Sequence, residues 1–111
     1  MAREKLTMTK CDVQVAISEH LIKNYKSMNI IGRDKPDFIQ NVLATIQDRD
    51  YKGAGKYNVF LNVCGIKIDE YGNRKENINY TTLCSVLIKC DSENSPIVSF
   101  SEPLSFTKRN H

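Results

Sequence analysis

Around Lys52-Gly53-Ala54-Gly55-Lys56 the apolar residues of this chain change their period. Upstream they recur every three to four positions, and downstream they alternate in twos. A period near 3.6 lines one stripe of a helix, and a period of 2 lines one face of a strand. The chain therefore reads as helices first and antiparallel sheet second. Its 111 residues fit one domain of ordinary size, able to bury a modest core without metals or crosslinks.

A helix is expected to begin near Thr9, whose hydroxyl can cap the first free amides, with Asp12 favouring the positive end. Val13, Ile17, Leu21 and Tyr25 then follow at intervals of four, on one face of a helix reaching about Ser27. Gly32 punctuates its end. Asp34-Lys35-Pro36-Asp37 reads as a second helix start, because proline is tolerated in a first turn and acids are favoured there. Phe38, Val42 and Ile46 supply the second stripe, widened by Ile39 and Leu43, with a stop near Asp48 or Arg49.

Past the glycine loop, Tyr57, Val59, Leu61 and Val63 alternate with Asn58, Asn62 and Cys64, with Phe60 the exception. Ile78, Tyr80, Thr82, Cys84, Val86 and Ile88 form a second alternation, and Asp69-Glu70-Tyr71-Gly72-Asn73 lies between as a turn. These two strands form a long hairpin. Asp91 to Pro96 makes the next turn, Ile97 to Ser101 a third strand, and Leu104 to Phe106 a fourth strand or an edge extension. The expected fold is α+β, with two N-terminal helices packed on one face of a three- to four-stranded antiparallel meander sheet. Residues 1–8 read as a polar arm, 9–107 as a single domain and 108–111 as a frayed end. Cystatin-like and NTF2-like cones share this order of elements, but no residue motif here belongs to either. Phe60, Ile66, Leu83 and Leu87 fall on the sheet face away from the helices, which raises a partner surface as one reading and scattered surface residues as the other.

The net charge is +3, and its excess lies upstream: residues 1–56 hold 10 of the 16 Lys or Arg and 7 of the 13 Asp or Glu. Acids are interleaved throughout, whereas a dedicated nucleic-acid binder carries a denser basic stripe. The charged Met1-Ala2-Arg3-Glu4-Lys5 is followed by no apolar run of signal-peptide length, and no segment approaches the ~18 apolar residues of a membrane span. A cytoplasmic protein with no membrane partner is the expectation. Cys11, Cys64, Cys84 and Cys90 form no CxxC pair and only His20 and His111 accompany them, so neither a metal nor another cofactor is expected. Free buried thiols are the preferred reading, with a Cys64–Cys84 bridge between neighbouring strands as the alternative.

The glycine loop fails as a phosphate cradle. A P-loop needs Gly-x-x-x-x-Gly-Lys-Ser/Thr between a strand and a helix. Here Tyr57 follows Gly55-Lys56, Asp50 stands where the first glycine belongs, and the expected order is helix then strand. What remains is a basic loop flanked by Arg49, Lys52 and Lys56. Interleaved with Tyr57, Phe60 and the hairpin's Tyr80, it offers a candidate surface for stacking single-stranded bases. The competing reading makes Tyr57 and Tyr80 cross-strand packing residues. A Cys–His pair using His20 is a third class, and paired carboxylates find no supporting spacing. The sequence thus favours a small non-enzymatic protein-binding module, accessory or inhibitor-like, with a homodimer through the outer sheet face or an edge strand as one form of it. Its alternatives are a nucleic-acid- or nucleotide-binding protein using the basic loop, and a small Cys–His enzyme.

Overall fold

Thr9 opens the first element as its sequence position suggests. The Asp12 amide donates to Thr9 Oγ1 at 3.0 Å and the Val13 amide to the Thr9 carbonyl, starting helix α1 (Lys10–Asn24). Its interval of four buries Val13, Ile17 and Leu21, each 0% exposed, and a 3-10 turn (Tyr25–Ser27) ends it. The structure is a computed structural model and describes residues 9–33, 35–73 and 75–109. The expected arm at 1–8 and the last two residues lie outside the described residues.

After a two-residue strand β1 (Ile30–Ile31), the chain departs from the expected second helix. Residues Phe38–Ile46 form strand β2 instead. The reason lies in the spacing: an interval of four, as in Phe38, Val42 and Ile46, is near one helical turn and is also an even step along a strand. Ala44 decides it. Val42, Ala44 and Ile46 are buried in strict alternation while Leu43 and Thr45 are exposed, and Ile39, Val42, Thr45 and Ile46 are β-branched. Pro36 is not a helix start. It is buried in the extended approach to β2, where its carbonyl accepts the Tyr25 hydroxyl at 2.5 Å.

Strands β3 (Gly55–Ile68) and β4 (Lys75–Cys90) then form the expected long hairpin, in register from Gly55 opposite Ile88 to Ile68 opposite Lys75. At its tip the Asp69 carboxylate accepts the Tyr71 and Asn73 amides, and Gly72 takes φ +74°, which a side chain rarely adopts. The Asp91 carboxylate fastens the next turn by accepting from Glu93 and Ser95, leading to β5 (Pro96–Phe100). Two short strands close the chain, β6 (Leu104–Ser105) and β7 (Thr107–Lys108).

The two-helix arrangement is thus corrected to one helix on a five-stranded sheet, ordered β2-β3-β4-β5, with β7 also on β4. All of its pairings are antiparallel. β6 instead runs parallel to β1, placing Leu104 beside Ile30. The sheet's inner face carries Val42, Ala44, Ile46, Tyr57, Val59, Leu61, Val63, Tyr80, Val86 and Ile88, all in one buried cluster with the α1 stripe. Leu104 and Phe106 complete it, with the Phe106 ring 6.1 Å from both Tyr25 and Tyr80.

Tyr25 joins three segments here, and burial pushes its phenol up to about 12, with Tyr80 and Asp37 adding to the rise. The fold favours the neutral phenol, so this stabilisation is complete below the ordinary tyrosine pKa of about 10 and is lost as pH rises through about 12. Tyr25→Phe should cost about 0.5–1.5 kcal/mol near neutral pH, the usual net value of one hydrogen bond. Urea melts of both proteins at neutral and strongly alkaline pH test this: the gap should narrow at the higher pH, and a pH-independent gap would count against the assignment.

Candidate functional site

The basic loop, residues 47–54, now connects β2 to β3 rather than a helix to a sheet. Tyr57 organises it from below. Its hydroxyl accepts the Lys52 amide and donates to the Gly53 carbonyl, both at 2.9 Å, while its ring lies 5.4 Å from that of Tyr51. The Asp48 carboxylate accepts the Asn58 amide at 3.0 Å and ties the other side down. An open cleft of about 460 Å³ lies here, lined by Asp48, Asp50, Lys52, Lys56, Asn58 and Ser85 among others. Two carboxylates face two ammonium groups, so the cleft offers an anion no net positive field.

Of the residues read as a base-stacking surface, Lys52 and Lys56 line this cleft and are exposed, as is Arg49 outside its lining. Tyr57 lines the cleft beside them but is only 6% exposed, and Tyr80 is 2% exposed, so both are packing residues that offer a base little surface. Phe60 is half-buried on the opposite sheet face. The structure does not bring these six together.

It does bring together a different set. β3 and β4 turn their even- and odd-numbered residues, respectively, away from α1, and there Phe60 lies directly opposite Leu83 and beside Thr45 of β2. Leu87 lies two same-face pairs further along, beyond Ser85 and opposite Lys56, and Leu43 is next to Thr45 on the same face of β2. Leu83 is 65% exposed and Leu43 62%. Directly opposed neighbours on one face stand about 5 Å apart and diagonal ones about 7–8 Å, so Leu43, Phe60 and Leu83 form an apolar patch on the side of the sheet away from α1. Phe60, Leu83 and Leu87 are legible in the sequence as outward residues. Leu43 is hidden by the helix assignment, although the alternation of Val42, Ala44 and Ile46 carries the signal.

A second apolar surface borders the first. Helix α1 presents Cys11, Val15, Ser18 and Ile22 on one flank, and with Asn41, Val42, Leu43 and Ala44 they line a groove of about 320 Å³ along the edge of β2. Val15 and Ile22 are about half exposed. Spacings of four, three and four make this a helical stripe adjacent to the core stripe.

His20 stacks on Phe100 with centroids 5.7 Å apart, and burial lowers its pKa, opposed by Glu102 and aided by Lys23. The cleft beside it is lined by Ala16, Glu19, Lys23, Asn24, Pro96, Ile97 and Val98, and no cysteine is among them. Cys84 is half-buried, and desolvation pushes its thiol up to about 11, so it is not a thiolate at neutral pH. The register sets Cys64 opposite Asn79 and Cys84 opposite Val59, on different faces of the sheet, which rules out a bridge between them. The thiols are free, but Cys11 and Cys90 are exposed rather than buried. Among the described residues, no group of three or more His, Cys, Asp or Glu could hold a metal ion, and no helix is long and apolar enough to cross a membrane. No family model, no curated protein and no solved structure matches this chain.

Proposed function

We propose that the chain is a small non-enzymatic protein-binding module that uses the side of the sheet α1 leaves uncovered. The observation that carries this reading is the gathering of Leu43, Phe60 and Leu83 on that face, with Leu83 and Leu43 nearly two-thirds exposed and Leu87 further along the same face of β4. Isolated surface leucines are ordinary, but a contiguous set across three strands is the usual mark of a contact surface. The nucleic-acid reading is weaker because its two tyrosines are core residues and its lysines share their cleft with two carboxylates. The Cys–His reading is weaker because the cleft at His20 contains no thiol.

The double variant Leu83→Glu/Leu87→Glu tests the proposal. Both positions face solvent, so the thermal melt should stay close to that of the wild type. Binding of the immobilised chain to a saturable protein ligand from its own cells, or to itself, should drop by roughly 100-fold when two charges enter the apolar contact. Binding that survives the double variant unchanged would remove the outer face from the contact, and no protein ligand at all would remove the reading.

A further inference from the structure

We propose that the outer face of the sheet docks an acidic segment of a partner protein, with a carboxylate seated on Arg109 and a neighbouring apolar side chain on Leu43, Phe60 and Leu83. This deepens the protein-binding reading by naming the chemistry of the partner, and it rests on that reading for the use of this face. The strand register places the site. Asn41, Cys64 and Asn79 form one outward row across β2, β3 and β4. The Arg109 amide, just past β7, donates to the Asn79 carbonyl at 2.8 Å and extends that row. Leu43, Asn62 and Thr81 form the next row, and Thr45, Phe60 and Leu83 the one after.

Arg109 reaches from its own row into the next. Its Nη1 donates to Asn62 Oδ1 at 3.5 Å, which brings the guanidinium to the residue opposite Leu43 and one row from Phe60. A single bond of that length leaves most of the guanidinium donors for another acceptor. No carboxylate of the described residues takes them. Together with Asn41, Leu43, Asn62 and Asn79, Arg109 lines an open cleft of about 340 Å³. The cleft thus holds a planar cation shaped for a carboxylate, amides that can donate to the same oxygens, and an apolar wall. Two residues of an extended chain span about 7 Å, so the partner's carboxylate and its apolar anchor lie within about two residues of one another.

Charge selects the occupant. The five strands of this sheet contain one acidic residue, Glu76, and its pairing with Lys67 sets it on the face towards α1. Lys56, Lys75 and Lys89 face outwards, opposite Leu87, Ile68 and Ile97. Asp48 and Asp50 come to this side from the 47–54 loop, beside Lys56 and at the other end of the strands from Arg109. A positive face around an apolar patch attracts an acidic protein surface and repels a basic one. Nucleic acid fits less well, because the cations are spread along the strands rather than gathered in a stripe. The patch also offers a half-buried ring among leucines instead of open aromatic faces.

Selection from a library of random peptides displayed on phage, with the immobilised full chain as bait, tests this. Outer-face binders are those that lose binding to Leu43→Ser/Leu83→Ser, a change that adds no charge and so does not itself favour acidic peptides. They should carry Asp or Glu within about two residues of Leu, Ile, Phe or Met. Changing that acid to its amide, or Arg109→Gln in the protein, should each weaken binding of the synthetic peptide by roughly 10- to 100-fold. Both changes together should cost little more than either alone. Arg109 is exposed, so Arg109→Gln should melt with the wild type. Outer-face peptides without acids, or acidic ones that bind Arg109→Gln and the wild type alike, overturn the proposal and leave the protein-binding reading in place. A selection that yields no outer-face peptide overturns it too, and the broader reading is then decided by the Leu83→Glu/Leu87→Glu experiment. An oligothymidylate that binds more tightly than any selected peptide, and that Arg109→Gln releases, overturns both.

Discussion

Ile17→Ala should destabilise the folded chain by about 2–5 kcal/mol, the range for large-to-small changes at sites that cannot collapse. Ile17 is the centre of the α1 stripe and is 0% exposed, between Val13 and Leu21, which are equally buried. Among the described residues α1 is the one long helix, and its stripe shares a single cluster with the inner residues of β2, β3 and β4. With one helix covering a five-stranded sheet, no neighbouring helix can shift to fill a void. Ile22→Ala on the same helix is the control, since Ile22 is 42% exposed and alanine is the better helix former. Urea denaturation of both variants decides the matter. A loss below about 1 kcal/mol at position 17, or an equal loss at 22, would mean that α1 is not what closes the core.

Gly65→Ala should cost roughly 1–3 kcal/mol, the penalty for forcing atoms into filled space. Gly65 lies in β3 without unusual backbone angles, so its need for glycine is one of room. A Cβ there would enter the ring of Pro36, 2.8 Å from its Cγ, and stand 3.0 Å from the Phe38 carbonyl. Pro36 cannot easily retreat. Its carbonyl is held by the Tyr25 hydroxyl, and the next amide, Asp37, donates to Ile66 at 2.9 Å. Pro36→Gly removes the obstructing ring, so the double variant should lose less than the sum of the singles. Additive losses, or an alanine at 65 that melts with the wild type, would show that the approach of Pro36 to β3 is slack.

The sequence is legible where its apolar period is unambiguous. The hairpin, its Asp69–Asn73 turn and the Asp91 turn follow from alternation and turn chemistry, and all occur as expected. The Thr9 cap and the first helix follow from a stripe that recurs every four residues from Val13 to Tyr25. The second stripe misleads because Phe38, Val42 and Ile46 satisfy both periods, and the Pro36 that resembles a helix start is there to pack on Gly65. Once β2 is read as a helix, the strand edge and the Val15–Ile22 groove disappear from view, since both depend on where that edge lies. The outer apolar face survives this error, because Phe60, Leu83 and Leu87 belong to the correctly read hairpin. Tyr57 and Tyr80 show the limit of local pattern: next to lysines they resemble a stacking surface, and only the pleat reveals that they face inward.

The parallel pairing of β1 with β6 has a consequence for how the molecule is made. Ile30 is translated long before Leu104, yet the two are paired, and Leu104 and Phe106 are both buried in the core. During synthesis the end of α1 and Tyr25 therefore lack their final neighbours until residues 104–106 have left the ribosome. The helix and the long hairpin can assemble earlier, but the fold closes only behind the last part of the described chain. A nascent chain halted before residue 104 would carry an open end of its core, and with it apolar surface of the kind that makes incomplete folds prone to aggregate.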